Sequence, residues 1–329
     1  MATRSIRAHY VPIAYLGAWA DSSAQVAMRR RVSSEVRITN VVNVAVERGG
    51  YGRGQVGQAR EDMFGQLEDT WPSLRQELLS DGGYVRQPTR EKVALFAAVQ
   101  FVRTREHAAL PRFLADFAAY STQRPVEREA IRAFLAERHL KFEPTEAEVE
   151  GAWTIASVGL NDQEPPTIDD TLGIGLSVAI REVGPRLAGR RWSVEHCTKP
   201  ILFTSDRPVM CWRPPSGRDA IEGIGIDTAD EIRLPVTPND LLVMRSDGVD
   251  ETVRRVQPRR FQRVNTAVGS QCQEQVLAHR SQITQLEALR LADHRPTVRF
   301  NVAPGFRSLP DGTHEPMGDI VHTWTPTHV

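Results

Sequence analysis

The places where this sequence could carry chemistry are polar residues that interrupt apolar patterning. His9-Tyr10-Val11-Pro12 opens the chain ahead of an apolar stretch, Ile13 to Trp19. Glu68 sits between Leu67 and the apolar Trp71 turn, and Gln100, Arg103 and Thr104 end a segment that is otherwise thickly apolar. Thr204-Ser205-Asp206-Arg207-Pro208 separates two apolar runs, and Asn265 begins the amphipathic end of an Arg-rich segment. Each has a plain architectural reading as well. His9 fits a satisfied imidazole on a tethered terminus, and Ser and Asp before Pro initiate turns. Charge supplies a second signal. Thr252 to Arg263 holds Arg254, Arg255, Arg259, Arg260 and Arg263 and no acid, whereas Glu143 to Asp170 holds eight acids and no Lys or Arg. Opposed patches can dock on each other inside one fold; left free, the basic one suits a polyanion such as a nucleic-acid backbone.

Several familiar constellations are missing. There is no Cys-x-x-Cys or His-x-x-x-His pair to hold zinc. His314, Asp319, His322 and His328 fall at irregular spacing, which reads as a solvated tail. No Gly-x-Ser-x-Gly elbow occurs, Gly173-x-Gly175 lies inside a helical pattern, and the loop Gly49 to Gly54 lacks the Lys-Ser/Thr of a phosphate loop. His196 beside Cys197 reads as a strand residue next to a buried thiol rather than a catalytic pair.

The elements that must position these residues follow from periodicity. The first stretch reads as extended, with Val36, Ile38 and the run Val41 to Val46 suiting strands. Phe64, Leu67, Trp71, Leu74 and Leu78 form a helical stripe, and Pro72 predicts a kink or a fresh helix there. Thr89 is the expected N-cap of the next helix, Ile131 to Leu135 mark another, and Thr145 with Glu148 forms a capping box. Leu172 to Val183 define the last long helix of this block, closed by Gly184-Pro185. After Arg191 short apolar runs separated by turn residues predict antiparallel strands, followed by a helix from about Arg259 to Arg280. This order gives an α+β class: one domain over 1–294, its helical block at about 56–188 between strand regions 1–51 and 191–247, then an irregular tail over 295–329.

The 329 residues balance 41 basic against 41 acidic side chains, which is ordinary globular composition. Only Lys92, Lys141 and Lys199 are lysine; GC-rich coding explains the arginine bias unless the arginines converge on phosphate or carboxylate. No apolar run reaches the roughly 20 residues of a membrane span, and no secretory h-region opens the chain. Three cysteines cannot build a disulfide framework, so the expected setting is the cytoplasm. Oligomeric state is not legible.

The chain resembles the bacterial domain-of-unknown-function family 4238. The matching features run in order through His9-Tyr10-Val11-Pro12 with Tyr15-Leu16, Tyr51, Leu67-Glu68, Gln100 with Arg103-Thr104, Trp192, Phe203 to Val209, Leu234 to Pro238, and Asn265. It departs where the family usually has Phe near Ala18 or Trp19 and often Asn at Arg207. The resemblance implies no established activity, but it picks out His9, Tyr10, Glu68, Gln100, Arg103, Ser205, Asp206 and Asn265 from distant segments. Brought together, that inventory suffices for general acid–base hydrolysis of a phosphodiester or nucleotide. His9 is then the base or acid, Glu68 or Asp206 orients it, and Arg103 and Asn265 contact phosphoryl oxygens. Tyr10, Gln100, Ser205, Arg254, Arg255, Arg259 and Arg260 complete substrate binding. If a metal serves instead, Glu68 and Asp206 are the oxygen ligands for Mg²⁺; no motif requires any cofactor. Two alternatives stand beside this: a non-catalytic nucleic-acid- or partner-binding protein of a defence or mobile-element system, its polar set a buried network, and a small-molecule tailoring enzyme.

Overall fold

The computed structural model describes residues 7–33, 35–48, 54–80, 86–104, 117, 127–136, 143–158, 173, 175–214, 224–249, 253–292, 299–308 and 313–324. The N-terminal part supplies β1 (Arg7–His9), α1 (Ile13–Leu16), β2 (Gln25–Arg30), β3 (Val36–Asn40), β4 (Val46–Arg48), α2 (Gly54–Asp69) and α3 (Trp71–Ser80). The run from Val41 to Val46 is not one strand. The Asn40 side chain accepts a hydrogen bond from the Val42 N–H and turns Val41–Asn43 into a 3₁₀ helix. Ala45 then takes φ 49°, a left-handed conformation that no strand continues through. Pro72 lies in the first turn of a new helix, where its missing N–H costs nothing.

The helical block continues with α4 (Gln87–Val102), α5 (Arg128–Phe134) and α6 (Glu146–Val158). The N-cap of α4 is Arg86 with Pro88 in the first turn; the Thr89 hydroxyl donates to Glu77 instead, at 2.6 Å. At α6 the capping box forms, Thr145 N–H donating to Glu148 and Glu148 N–H to the Thr145 hydroxyl. Gly184-Pro185 does not end its helix. Ala179–Val183 widen into a π turn that admits the proline, and α7 (Gly184–Gly189) carries on. A Cβ at Gly184 would meet the Ala179 carbonyl at 3.1 Å and Leu95 Cα at 3.8 Å, so glycine lets this helix lie against α4.

The strands after residue 190 appear as the alternation requires: β5 (Arg191–His196), β6 (Thr204–Ser205), β7 (Met210–Trp212), β8 (Glu231–Thr237), β9 (Asp240–Arg245) and the short β10 (Arg254–Arg255). The long late helix is replaced by α8 (Pro258–Gln271), β11 (Gln275–Ala278), a 3₁₀ turn at Arg280–Gln282 and α9 (Ile283–Glu287). In place of an irregular tail, β12 (Arg299–Ser308) and β13 (His314–Trp324) pair as an antiparallel hairpin.

These elements make an α+β fold with a five-stranded sheet ordered β10-β5-β9-β8-β7 and a four-stranded sheet ordered β3-β2-β11-β6. Alternation gives the larger sheet two apolar faces. Trp192, Val194, Leu234, Leu242 and Met244 join the helical block in one core with Tyr15, Trp19, Trp71 and Phe96. Met210, Leu241 and Val243 pack with Leu202, Phe203 and the α8 residues Phe261, Val264 and Val268 in the other. Tyr15 sits at the crossing, donating to the Pro235 carbonyl at 2.7 Å beside the Thr204 hydroxyl. Among the described residues no helix is long and apolar enough to cross a membrane.

Candidate functional site

Arg103, at the C-terminal end of α4, gathers three of the residues that the resemblance picks out. Its side chain is 3% exposed and lies over the Phe64 ring at 4.3 Å. One terminal N–H donates to the Glu68 carboxylate and the other to the His9 backbone carbonyl. Phe64 and Glu68 are one turn apart on α2, so a single helix face supplies both the carboxylate and the ring. His9 is held by β1 pairing with β4, and its Nε2 donates to the Val42 carbonyl at 3.1 Å. A carbonyl only accepts, so the neutral ring carries its lone pair on Nδ1.

Burial sets the protonation of this corner. It pushes the Glu68 carboxyl up to about 8, with smaller contributions from Glu61 and Asp69, and pulls the Arg103 guanidinium down to about 9. Burial thus disfavours charge on both members of the pair. Arg103 positions its two partners; it is not the open anion contact that the sequence suggests.

Tyr10 and Asp206 meet at β11. The Gln275 amide donates to the Tyr10 hydroxyl at 3.2 Å. Asp206 is buried and accepts three backbone N–H groups: Gln273 at 2.9 Å on Oδ1, Glu274 at 2.7 Å and Gln275 at 3.3 Å on Oδ2. Burial raises this carboxyl to about 6 against the pull of those donors. The same N–H cluster explains why the late helix stops at Gln271: the chain turns over Asp206 and enters β11. Ser205 closes a tight turn, its hydroxyl accepting from Arg207 N–H at 3.1 Å and donating to the Arg207 carbonyl at 3.0 Å. Asn265 spends both amide atoms on the segment leading into β6, accepting from Phe203 N–H at 2.9 Å and donating to the Ile201 carbonyl at 2.8 Å. Asp206, Ser205 and Asn265 are thus architectural rather than catalytic. Gln100 is 1% exposed, and neither atom of its amide has a hydrogen-bond partner among the described residues.

The Mg²⁺ pair does not fit. Glu68 is engaged by Arg103 and Asp206 by main-chain N–H groups, and among the described residues no three His, Cys, Asp or Glu side chains converge.

The arginine run divides. Arg260 turns inward, pairing with Glu195 at 2.8 Å and Glu231 at 2.9 Å, and so leaves the expected binding set. Arg254 and Arg255 on the sheet edge and Arg259 and Arg263 on α8 are exposed and make no ion pair with the described residues. Of the acidic stretch, Asp162, Glu164, Asp169 and Asp170 lie outside the described residues. Glu146 and Glu150 pair with Arg132 and Arg128 of α5, and Glu148 is spent on its capping box.

Sequence reasoning missed Gln275 and the Val42 carbonyl. The first stood inside an expected helix and the second inside an expected strand; only the Asn40 signal for a local turn was available for either. The sequence model of a family described as "Protein of unknown function (DUF4238)" matches residues 7–282, from β1 to the last 3₁₀ turn. No curated protein and no solved structure matches the chain.

Asp206→Ala leaves three main-chain N–H groups, one buried and two part-buried, without their acceptor and is expected to lower stability by about 1–3 kcal/mol in urea denaturation; an unchanged midpoint would contradict the architectural role. Glu68 binds a proton more tightly in the folded chain than in the unfolded one. Its contribution is present below the ordinary glutamate range and is lost as pH rises through about 8. Glu68→Gln is therefore expected to flatten the decline of melting temperature between about pH 5 and 9, and an unaltered slope would exclude Glu68 as its source.

Proposed function

The chain belongs to the DUF4238 family, and from the surface it presents we propose that it is a nucleic-acid-binding protein whose phosphate contacts are Arg254, Arg255, Arg259 and Arg263. The observation that carries this is that those four guanidinium groups, within ten residues of one another, are exposed and make no ion pair with the described residues, while Glu146, Glu148 and Glu150 bond elsewhere. Arginine offers planar, bidentate contacts to phosphate and is always charged. Cys197, Cys211 and Cys272 are buried and none is in a disulfide, which supports a cytoplasmic setting. Replacing Arg255 and Arg259 together by Ala is expected to weaken binding to an RNA or DNA oligonucleotide and to reduce the slope of log affinity against log salt by about 1.5–2. Equal retention on heparin before and after the changes would remove the surface from consideration.

A second reading, hydrolysis of a phosphate ester by His9 and Glu68, is favoured by one specific observation: a single guanidinium holds both the Glu68 carboxyl, whose proton affinity burial raises, and the main chain of a histidine whose Nε2 donates to Val42. These are the acid and base such a reaction uses. His9→Ala removes the imidazole and its bond to the Val42 carbonyl but keeps the main-chain carbonyl that Arg103 engages, so it is expected to abolish turnover of a generic phosphodiester while a cooperative melting transition is retained. Turnover at the original rate would eliminate this reading.

A further inference from the structure

Outside the corner built on Arg103, the five-stranded sheet carries a second histidine in a setting suited to proton transfer. His196 ends β5. Its register partner on β9 is Asp240 and on the other side, in parallel β10, is Arg255. In-register residues of neighbouring strands project from the same face of a sheet, so Arg255, His196 and Asp240 form one row, and Thr237 of β8 extends it opposite Asp240. His196 Nδ1 lies 2.7 Å from Asp240 Oδ1, while Asp240 Oδ2 accepts from the Thr237 hydroxyl at 2.5 Å. An ionised carboxylate only accepts, so the proton is on Nδ1 and the lone pair on Nε2, which has no hydrogen-bond partner among the described residues. The imidazole is 34% exposed and Asp240 13% exposed, so a covered carboxylate orients an accessible ring. Cys197 turns to the opposite face and is buried, which removes it from this row.

We propose that His196, oriented by Asp240, is the general base of a ribonucleotide-cleaving site, with Arg255 holding a non-bridging phosphoryl oxygen. This inference rests on the nucleic-acid reading above and assigns chemistry to the sheet face that Arg255 shares with His196, opposite the face that carries Arg254 and α8. Nε2 takes the proton of a ribose 2′-hydroxyl. The 2′-oxygen attacks the adjacent phosphorus, the P–O5′ bond breaks, and the departing 5′-oxygen takes a proton from water. The products are a 2′,3′-cyclic phosphate and a 5′-hydroxyl end, and the proton on His196 returns to solvent. One base and one cation are what the row offers, and an RNA backbone brings its own nucleophile already in place, where proximity supplies much of the acceleration.

The test uses the purified full chain with a fluorescent single-stranded RNA, the DNA of the same sequence, and the RNA with 2′-O-methyl groups, reading cleavage on gels and binding by anisotropy. All three are expected to bind and only the unmodified RNA to be cut, leaving cyclic phosphate ends. His196→Gln is expected to lower cleavage by about 10²-fold or more while binding and melting temperature are retained. Arg255→Lys, at an exposed edge position, is expected to keep the charge that binds and slow cleavage through loss of the planar fork. Bound but uncut RNA, equal cutting of the DNA, or a His196→Gln protein as active as the original would overturn this inference and leave the binding surface standing. Absence of binding to any of the three would overturn both.

Discussion

The charge on Arg103 is almost wholly withdrawn from water, and the N-terminal part of the fold is arranged to satisfy it. A buried guanidinium is tolerated only where its donors find acceptors. Here the acceptors come from two segments that would otherwise have no reason to meet: the carboxylate of Glu68 on α2 and the main-chain carbonyl of His9 on β1. Burial in the corner where the first strand docks against the helical block raises the proton affinity of Glu68. The hydrogen bond from Arg103 holds the carboxyl in place, while exclusion of water disfavours its ionised form.

A second buried charge system governs the opposite side of the large sheet. Glu195 and Glu231 are faced by Arg233, Arg245 and Arg260, with Arg233 also lying over the Trp212 ring at 4.0 Å. Burial pulls the Arg233 guanidinium down to about 10, and Glu231 is drawn below the ordinary glutamate range by its arginine neighbours despite being largely buried. Arg260 must serve this network because it sits on the inward face of α8, one residue from Arg259, which faces out. Helical rotation, not composition, thus decides which arginines of one run remain for a ligand.

Backbone donors account for most of the remaining polar set. Asp206 absorbs the N–H groups of a chain reversal, and Asn265 holds the segment leading into β6 from a helix, so both stabilise the junction between α8 and the four-stranded sheet. Tyr10 joins that junction through Gln275, which links the N-terminal strand to the end of the described domain. Residues drawn from distant segments converge, but largely on the main chain rather than on a common cavity.

Local and periodic features were legible in the residues alone. Strand alternation after residue 190, the fresh helix at Pro72 and the Thr145–Glu148 box depend on neighbours a few positions away, and they form as written. So does the α+β class, because element type follows period. The Asn40 turn, the π turn at Pro185 and the break after Gln271 went otherwise, since each is decided by a side chain or a packing partner that outvotes propensity. Tertiary structure alone decided which polar residues are spent. An Asp in a turn motif looks the same whether it faces solvent or three main-chain N–H groups, and His196 acquires its carboxylate only through strand register, 44 residues downstream.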